Sequence, residues 1–350
     1  MGRSAIECVV ISSFLLGMAA CTSDDGDKGG QASAPDGAGN KGDAATAADA
    51  RAPASEPDAA SSAPDGGPVV TPRPTPATSD FEELMAYDWT LEAGQEQYYC
   101  VYQTVQEDLW ISHFEPIEPA GTHHVTLGFV EDAPADGVIT AGDGNTDFPC
   151  NGITLGDNLA FAAVKNTAGF SMPEGVAAKI PAGKHMLLSV HVFNGSEDVL
   201  TGRTGIKIVR EDPANVHDVA ENVFAANIGI QVGPGKSTQS SLCTMEADAT
   251  ILALGHHMHL TGVRQKTTLI RSNGEREVLL DAPFVFDSQQ FEALDPPVRV
   301  KKGEQLEVEC QFDNPTPDTY TFGESTGKNE MCLTSFYRFP AVNSSFLCTM

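Results

Sequence analysis

HMLLSVHVF, residues 185–193, decides how the chain folds. The segment is short, apolar almost throughout and rich in β-branched or aromatic residues, and it is bounded by Gly and Asn. It reads as a buried strand. Its discordant residue is His191, and a lone histidine in an apolar strand reads first as a satisfied core residue. The same pattern recurs at 108–114 (DLWISHF), 204–209 (TGIKIV), 226–232 (ANIGIQV), 267–272 (TTLIRS), 298–312 (VRVKKGEQLEVECQF) and 333–339 (LTSFYRF). Long helical patterns are absent. Many short strands separated by turn residues give an all-β chain of sandwich or jelly-roll type. The polar stretch REDPANVHDVAE (210–221) is the best joint between two domains, 80–209 and 210–350.

Outside that region the chain changes character. Arg3 leads into the apolar run VVISSFLLGMAA (9–20), which stops at Cys21. The run is short for a membrane span and suits a secretory signal, so 1–20 reads as a lipoprotein signal peptide. Ala19 and Ala20 before Cys21 predict cleavage there, with acylation of the Cys21 thiol. Residues 21–79 are mostly Ala, Gly, Pro, Ser and Asp, too poor in large aliphatics to offset their ordering entropy, and read as a disordered tether.

These features predict a bacterial cell envelope location with a lipid anchor, an ordinary signal peptide cleaved nearby being the alternative, and by resemblance to other bacterial lipoproteins Thr22 implies outer-membrane sorting, facing periplasm or cell surface. Membrane contact is expected only through Cys21. The formal net charge of −27 argues against nucleic acid as a partner. With Cys8 and Cys21 set aside, Cys100, Cys150, Cys243, Cys310, Cys332 and Cys348 remain, an even set suited to disulfides in an oxidising compartment.

The chemistry is concentrated in ALGHHMHLTG, 253–262. Read as a strand, it puts Ala253, Gly255, His257 and His259 on one face, where two imidazoles can share an ion. Leu252, Leu254, His256, Met258 and Leu260 take the other, core-facing side. In GTHHVTLGF (121–129), His123 and His124 are adjacent and point to opposite faces of a regular strand. They can share an ion only if the backbone is irregular, which Pro119 and Gly121 make plausible, or if different ring nitrogens are used; taken alone they read as one core and one surface histidine. Met331, beside Cys332 after a polar loop, is not an obvious core residue. A thioether with two imidazoles suits copper better than zinc.

Together, YYC (98–100), THH (122–124), VH (190–191), HMHLTG (257–262), GEQLEVEC (303–310) and EMC (330–332) resemble the copper type II, ascorbate-dependent monooxygenases. The resemblance runs over roughly 85–348 and implies two tandem jelly-roll β-sandwich domains with two copper ions per chain. It implies that His123, His124 and His191 hold one copper, and that His257, His259 and Met331 hold the other, catalytic one. It also implies the pairings Cys100–Cys150, Cys243–Cys348 and Cys310–Cys332. In the chemistry it implies, ascorbate reduces both coppers, O2 is activated at the second, the first supplies an electron, and a C–H bond of a small organic substrate becomes an alcohol. His256 and Met258 remain non-ligands, and His113, His185 and His217 match no ligand position.

Two departures bear on the substrate. The peptide-processing branch of that family has an Arg and a Tyr for a substrate carboxylate where this chain has Gly255 and Ser335, and a Gln where it has Ser189. A glycine-extended peptide is therefore not the expected substrate. The competing reading is a non-catalytic copper-buffering lipoprotein with the same ligands. GDGNTD (142–147) and QVGPGKS (231–237) read as turns, lacking the glycine and glutamate of a calcium loop and the spacing of a phosphate loop.

Overall fold

The computed structural model describes residues 70–140, 150, 158–164, 167–286, 288–289, 291–323, 325, 327–342 and 347–349. The signal segment, Cys21, the tether as far as residue 69, and GDGNTD lie outside the described residues. Among those described the chain is all-β, with two short 3₁₀ turns and no helix long and apolar enough to cross a membrane.

The strand His185–Phe193 sits where its apolar pattern requires, third in a five-stranded sheet. The order is Gly137–Thr140, Glu96–Thr104, His185–Phe193, Thr122–Val130, Asn158–Val164. Its long partner is a sheet running Glu82–Leu91, Leu200–Arg210, Leu109–Ile117, Val176–Ile180, Asp218–Ala226, Leu333–Phe339, Ala249–His257, Phe291–Val300. A four-stranded sheet of Gly235–Thr244, Gln305–Asn314, Gly262–Ile270 and Arg276–Pro283 completes the main framework.

Two large apolar clusters follow. One joins Phe114, Ile206 and Ile208 to Val125, Leu188 and Val190, and the other joins Ile251, Leu254 and Phe336 to Leu306, Val308 and Phe312. Each fully buried aliphatic or aromatic side chain removes enough apolar surface from water to contribute about 1.5–3 kcal/mol. Tyr337 continues the first cluster from the second half of the chain: its ring stacks on Phe170 at 4.3 Å, and its hydroxyl donates to the Ala160 carbonyl at 3.0 Å.

The segment read as a joint does not hang free. After a 3₁₀ turn at Pro213–Asn215, capped by Asp212, Asp218–Ala226 forms a single strand. Its first residues pair in parallel with Val176–Ile180, and the rest pair antiparallel with Leu333–Phe339. The strand is buried along much of its length, so its backbone donors and acceptors must be paired on both sides. This strand also displaces the one expected at 226–232. Ala226 is its last residue, a turn follows, and only Gln231–Val232 returns to strand. Likewise 298–312 is two strands with a turn at Lys301–Glu304, where Gly303 has φ +88°.

A second correction concerns the tether, whose last residues dock on the sandwich. Val70 packs against the first cluster, and the Thr71 carbonyl accepts from Glu174 N at 3.0 Å. The Arg73 guanidinium donates to the Met172 and Pro173 carbonyls at 3.1 and 3.2 Å and pairs with Glu211 at 2.5 Å. Composition alone favoured disorder here. One arginine with a partly enclosed carboxylate and two carbonyls is enough to order the segment.

The disulfides Cys100–Cys150, Cys243–Cys348 and Cys310–Cys332 are all formed, with Cα separations of 5.7, 5.3 and 5.9 Å. Cys310–Cys332 ties the four-stranded sheet to the residue directly following Met331.

Arg73→Ala should cost about 1–2 kcal/mol, the range for losing hydrogen bonds from a charged donor. Urea unfolding of the full chain measures it, and an unchanged midpoint would contradict the docking.

Candidate metal centres

The first cluster depends on a break in strand regularity. Thr122 pairs with Val192 and His124 with His191, so His123 is skipped and forms a bulge. The chain enters through a turn in which Thr122 N donates to the Pro119 carbonyl at 3.0 Å, with Gly121 at φ +93°. A side chain at 121 would also meet Leu200 and Trp89 at 2.6 and 2.8 Å.

The bulge cancels the alternation that would have separated the adjacent histidines. His123 Nδ1 lies 3.0 Å from His124 Nδ1, which lies 3.4 Å from His191 Nδ1. One potential ligand atom from each ring falls within 4.8 Å of the others. Two nitrogens each about 2.0 Å from one ion, at a tetrahedral angle, stand roughly 3.3 Å apart, so the spacing fits a single metal.

The His191 ring is fixed from both sides. Its plane stacks on Tyr98 at 4.0 Å, and its Nε2 meets Glu96 Oε1 at 2.6 Å. That contact, the largest influence, holds the Glu96 carboxyl below its usual range. Burial, with the neighbouring His191 and His123 next in weight, pushes the His124 proton affinity well down, leaving a neutral ring ready to ligate.

The second cluster departs from the face reading. The strand ends at His257, and a turn closed by Gly262 N on the His259 carbonyl at 3.1 Å carries the next residues. Met258 is fully buried, as the alternation required, but Leu260 is 59% exposed because no strand continues that far. The space beside Gly255 is filled as well: a Cβ there would stand 3.0 Å from the Phe291 ring.

His257 and His259 nevertheless converge, their ring centroids 5.4 Å apart at 89°. His257 Nδ1 contacts Gln289 Oε1 at 2.8 Å, and His259 Nδ1 contacts the Asn329 carbonyl at 3.1 Å. Both partners accept, so each Nδ1 carries the proton and each Nε2 presents a lone pair. The His257 Nε2 is buried and has no hydrogen-bond partner. Burial above all lowers the proton affinity of both rings to about 4. Neutral, oriented imidazoles, with the His257 Nε2 unpartnered, beside a thioether-bearing loop fit copper.

Glu330 brings that loop in. Its carboxylate is fully buried and accepts from His259 N at 2.9 Å, Thr261 N at 2.8 Å, Thr261 Oγ1 at 2.8 Å and Met331 N at 3.1 Å. The Met331 backbone is thereby held beside the His259 turn, with the Met331 side chain buried next to Leu159, Phe224 and Leu333. Sequence reading placed Glu330 in a motif but gave it no task. It also missed Gln289 and Glu96, each far along the chain from the histidine it orients.

A cavity adjoins both clusters, lined by His124, His257, Gln289, Phe224, Phe291 and Ser335 among others. Gly255 and Ser335 are cross-strand partners on its wall, and Ser335 Oγ is committed to Asn222 Oδ1 at 2.6 Å. His256 turns toward Thr267 Oγ1 at 3.1 Å, away from its neighbour's partners. His113, His185 and His217 do not join either cluster: His113 contacts Ser171, His185 contacts Thr104, and His217 lies against Gly175.

Glu330→Ala would leave three buried amides and a hydroxyl without an acceptor. At about 1–3 kcal/mol for each unsatisfied group it should cost at least 3 kcal/mol. Urea unfolding measures this, and a loss under about 1 kcal/mol would contradict the clasp.

The buried histidines also set a pH dependence. His256, His257 and His259 fall from an ordinary 6.5 to about 4 in the folded chain. Their stabilising contribution is complete above 6.5. It falls as pH drops toward 4, because the unfolded chain binds protons that the folded chain refuses. The metal-free protein should therefore lose more stability between pH 7 and pH 5 than a His256→Gln, His257→Gln variant. Parallel losses in thermal unfolding would contradict this.

Residues 223–350 match the family described as copper type II ascorbate-dependent monooxygenase, C-terminal domain. DBH-like monooxygenase protein 1 of Homo sapiens is 24% identical over 75% of this chain and 48% of its own length. The Gallus gallus protein of the same name is 23% identical over 77% of this chain and 48% of its own. DBH-like monooxygenase protein 2 of Mus musculus is 33% identical over 28% of this chain and 16% of its own. The chain spans about half the length, or less, of these curated relatives. The match over 223–350 takes in His257, His259, Glu330 and Met331, and the alignments run across three quarters of the chain, so its similarity is to the copper type II ascorbate-dependent monooxygenase family.

Proposed function

We propose that the chain is a copper- and ascorbate-dependent monooxygenase that hydroxylates a C–H bond of a small organic substrate with O2. It would use two copper ions, one in each of two jelly-roll units at 80–209 and 210–350. The observation carrying this reading is the pair of separate histidine constellations, one of three rings each offering a nitrogen within 4.8 Å of the others and one of two oriented rings next to the Met331 loop.

His123, His124 and His191 would hold one ion; His257, His259 and Met331 would hold the other. Copper bound there supplies one-electron chemistry toward O2, with ascorbate as the source of electrons. The overall reaction consumes the substrate, O2, two electrons and two protons, and yields an alcohol and water.

The chain's own residues supply the setting. Gln289 and Asn329 hold the His257 and His259 rings so that each Nε2 stays unprotonated. Phe224, Phe291 and Leu333 give the cavity apolar walls that exclude water from the reacting face. Among the described residues, Phe291 beside Gly255 and Ser335 bound to Asn222 put no cationic or phenolic group on that wall for a substrate carboxylate. This favours a substrate other than a glycine-extended peptide. In the cell the chain would sit in a bacterial envelope, tethered by lipid on Cys21.

Oxygen consumption with copper and ascorbate across a panel of small molecules tests the activity. Substrate-dependent uptake is expected, and copper binding with no uptake would instead identify a buffer. Met331→Ala should abolish uptake while the chain still folds, with an unfolding midpoint lowered by the loss of a buried side chain, and undiminished turnover would refute its role. His256→Ala should leave the copper content unchanged; loss of one ion would overturn its placement outside the ligand set.

A further inference from the structure

We propose that Glu96 sets the redox bias between the two centres, its carboxylate making the three-histidine centre the stronger electron donor. The proposal rests on the copper reading above. It is carried by a contrast among the partners of the remote ring nitrogens. His191 Nε2 meets the Glu96 carboxylate at 2.6 Å, whereas the remote nitrogens of His257 and His259 meet a neutral amide oxygen and a neutral carbonyl.

The strand register builds this contact. Tyr98 pairs with His191, and Glu96, two residues earlier on the same face, pairs with Phe193. Tyr98 stacks flat on the imidazole while Glu96 reaches its outer nitrogen. The His191 side chain is 2% exposed and the Glu96 side chain 48%, so the carboxylate stays solvated on one side and acts on a buried ring on the other.

An anion bonded to the remote N–H of a ligating imidazole raises the ring's basicity and favours the more highly charged ion. Cu(II) is thus stabilised over Cu(I) at this centre. The other centre has neutral outer partners and a thioether, which favour Cu(I). With copper held by both sets, one electron lost by the ion on His123, His124 and His191 would run downhill toward the reduction of O2 at the ion on His257, His259 and Met331. Ascorbate, oxidised in one-electron steps, restores both ions.

The test is a redox titration of the full chain loaded with copper, followed by the electron paramagnetic resonance of Cu(II), in wild type and Glu96→Gln. Glutamine still accepts from His191 but carries no charge. The three-histidine signal, assigned by its loss in His191→Ala, should show a Cu(II)-to-Cu(I) affinity ratio lowered about tenfold. For a one-electron couple that is a rise of about 59 mV. The other centre should not move, and Glu96→Asp should restore part of the shift. Unfolding midpoints of the variants check that the fold is retained. Unmoved potentials at a loaded three-histidine centre, or equal shifts at both centres, would overturn the proposal and leave the copper reading intact. Failure of wild type to load copper at the three histidines would instead remove the copper reading, and this proposal with it.

Discussion

The Glu330 carboxylate accepts four hydrogen bonds from two stretches of chain some 70 residues apart, and the second centre depends on it. A charge buried this completely is costly unless donors surround it. Here three backbone amides and a hydroxyl do so. Those donors belong to the turn that carries His259 and to Met331 itself, so the same bonds that keep the carboxylate stable fix the loop against the turn. Cys310–Cys332 secures the loop's other side. The first centre is built by a different device, a bulge at His123 that turns two adjacent side chains toward one point.

Hydrophobic patterning made the framework legible wherever a strand is buried on both faces. His185–Phe193 and Leu333–Phe339 run over the residues their apolar runs mark. The pattern misled at 226–232, where Ile228 and Ile230 lie between strands, and at 298–312, where the polar turn Lys301–Glu304 divides one run into two strands. It misled again at Leu260, because a face reading assumes the strand continues and this one ends at His257. Arg73 shows the converse case, in which an unpromising composition is ordered by one charged side chain and its partners.

At the centres, the histidines and Met331 stood out by residue type and spacing, and Pro119 with Gly121 flagged the irregularity before His123. The groups that orient them did not stand out. Glu96, Gln289 and the Asn329 carbonyl act on rings 95, 32 and 70 residues away along the chain. No local periodicity encodes such a contact. Ring orientation, tautomer and electronic tuning are tertiary properties here, while ligand identity is largely a local one.

The two histidine clusters differ in their outer partners, yet they adjoin one cavity and each lowers the proton affinity of rings in the other. Everything argued about their chemistry requires that both hold copper. The most direct measurement is copper bound per full-length chain after loading and removal of weakly held metal. Two ions are expected, one lost in His191→Ala and the other in His257→Ala. One ion or none in the wild-type chain would contradict it.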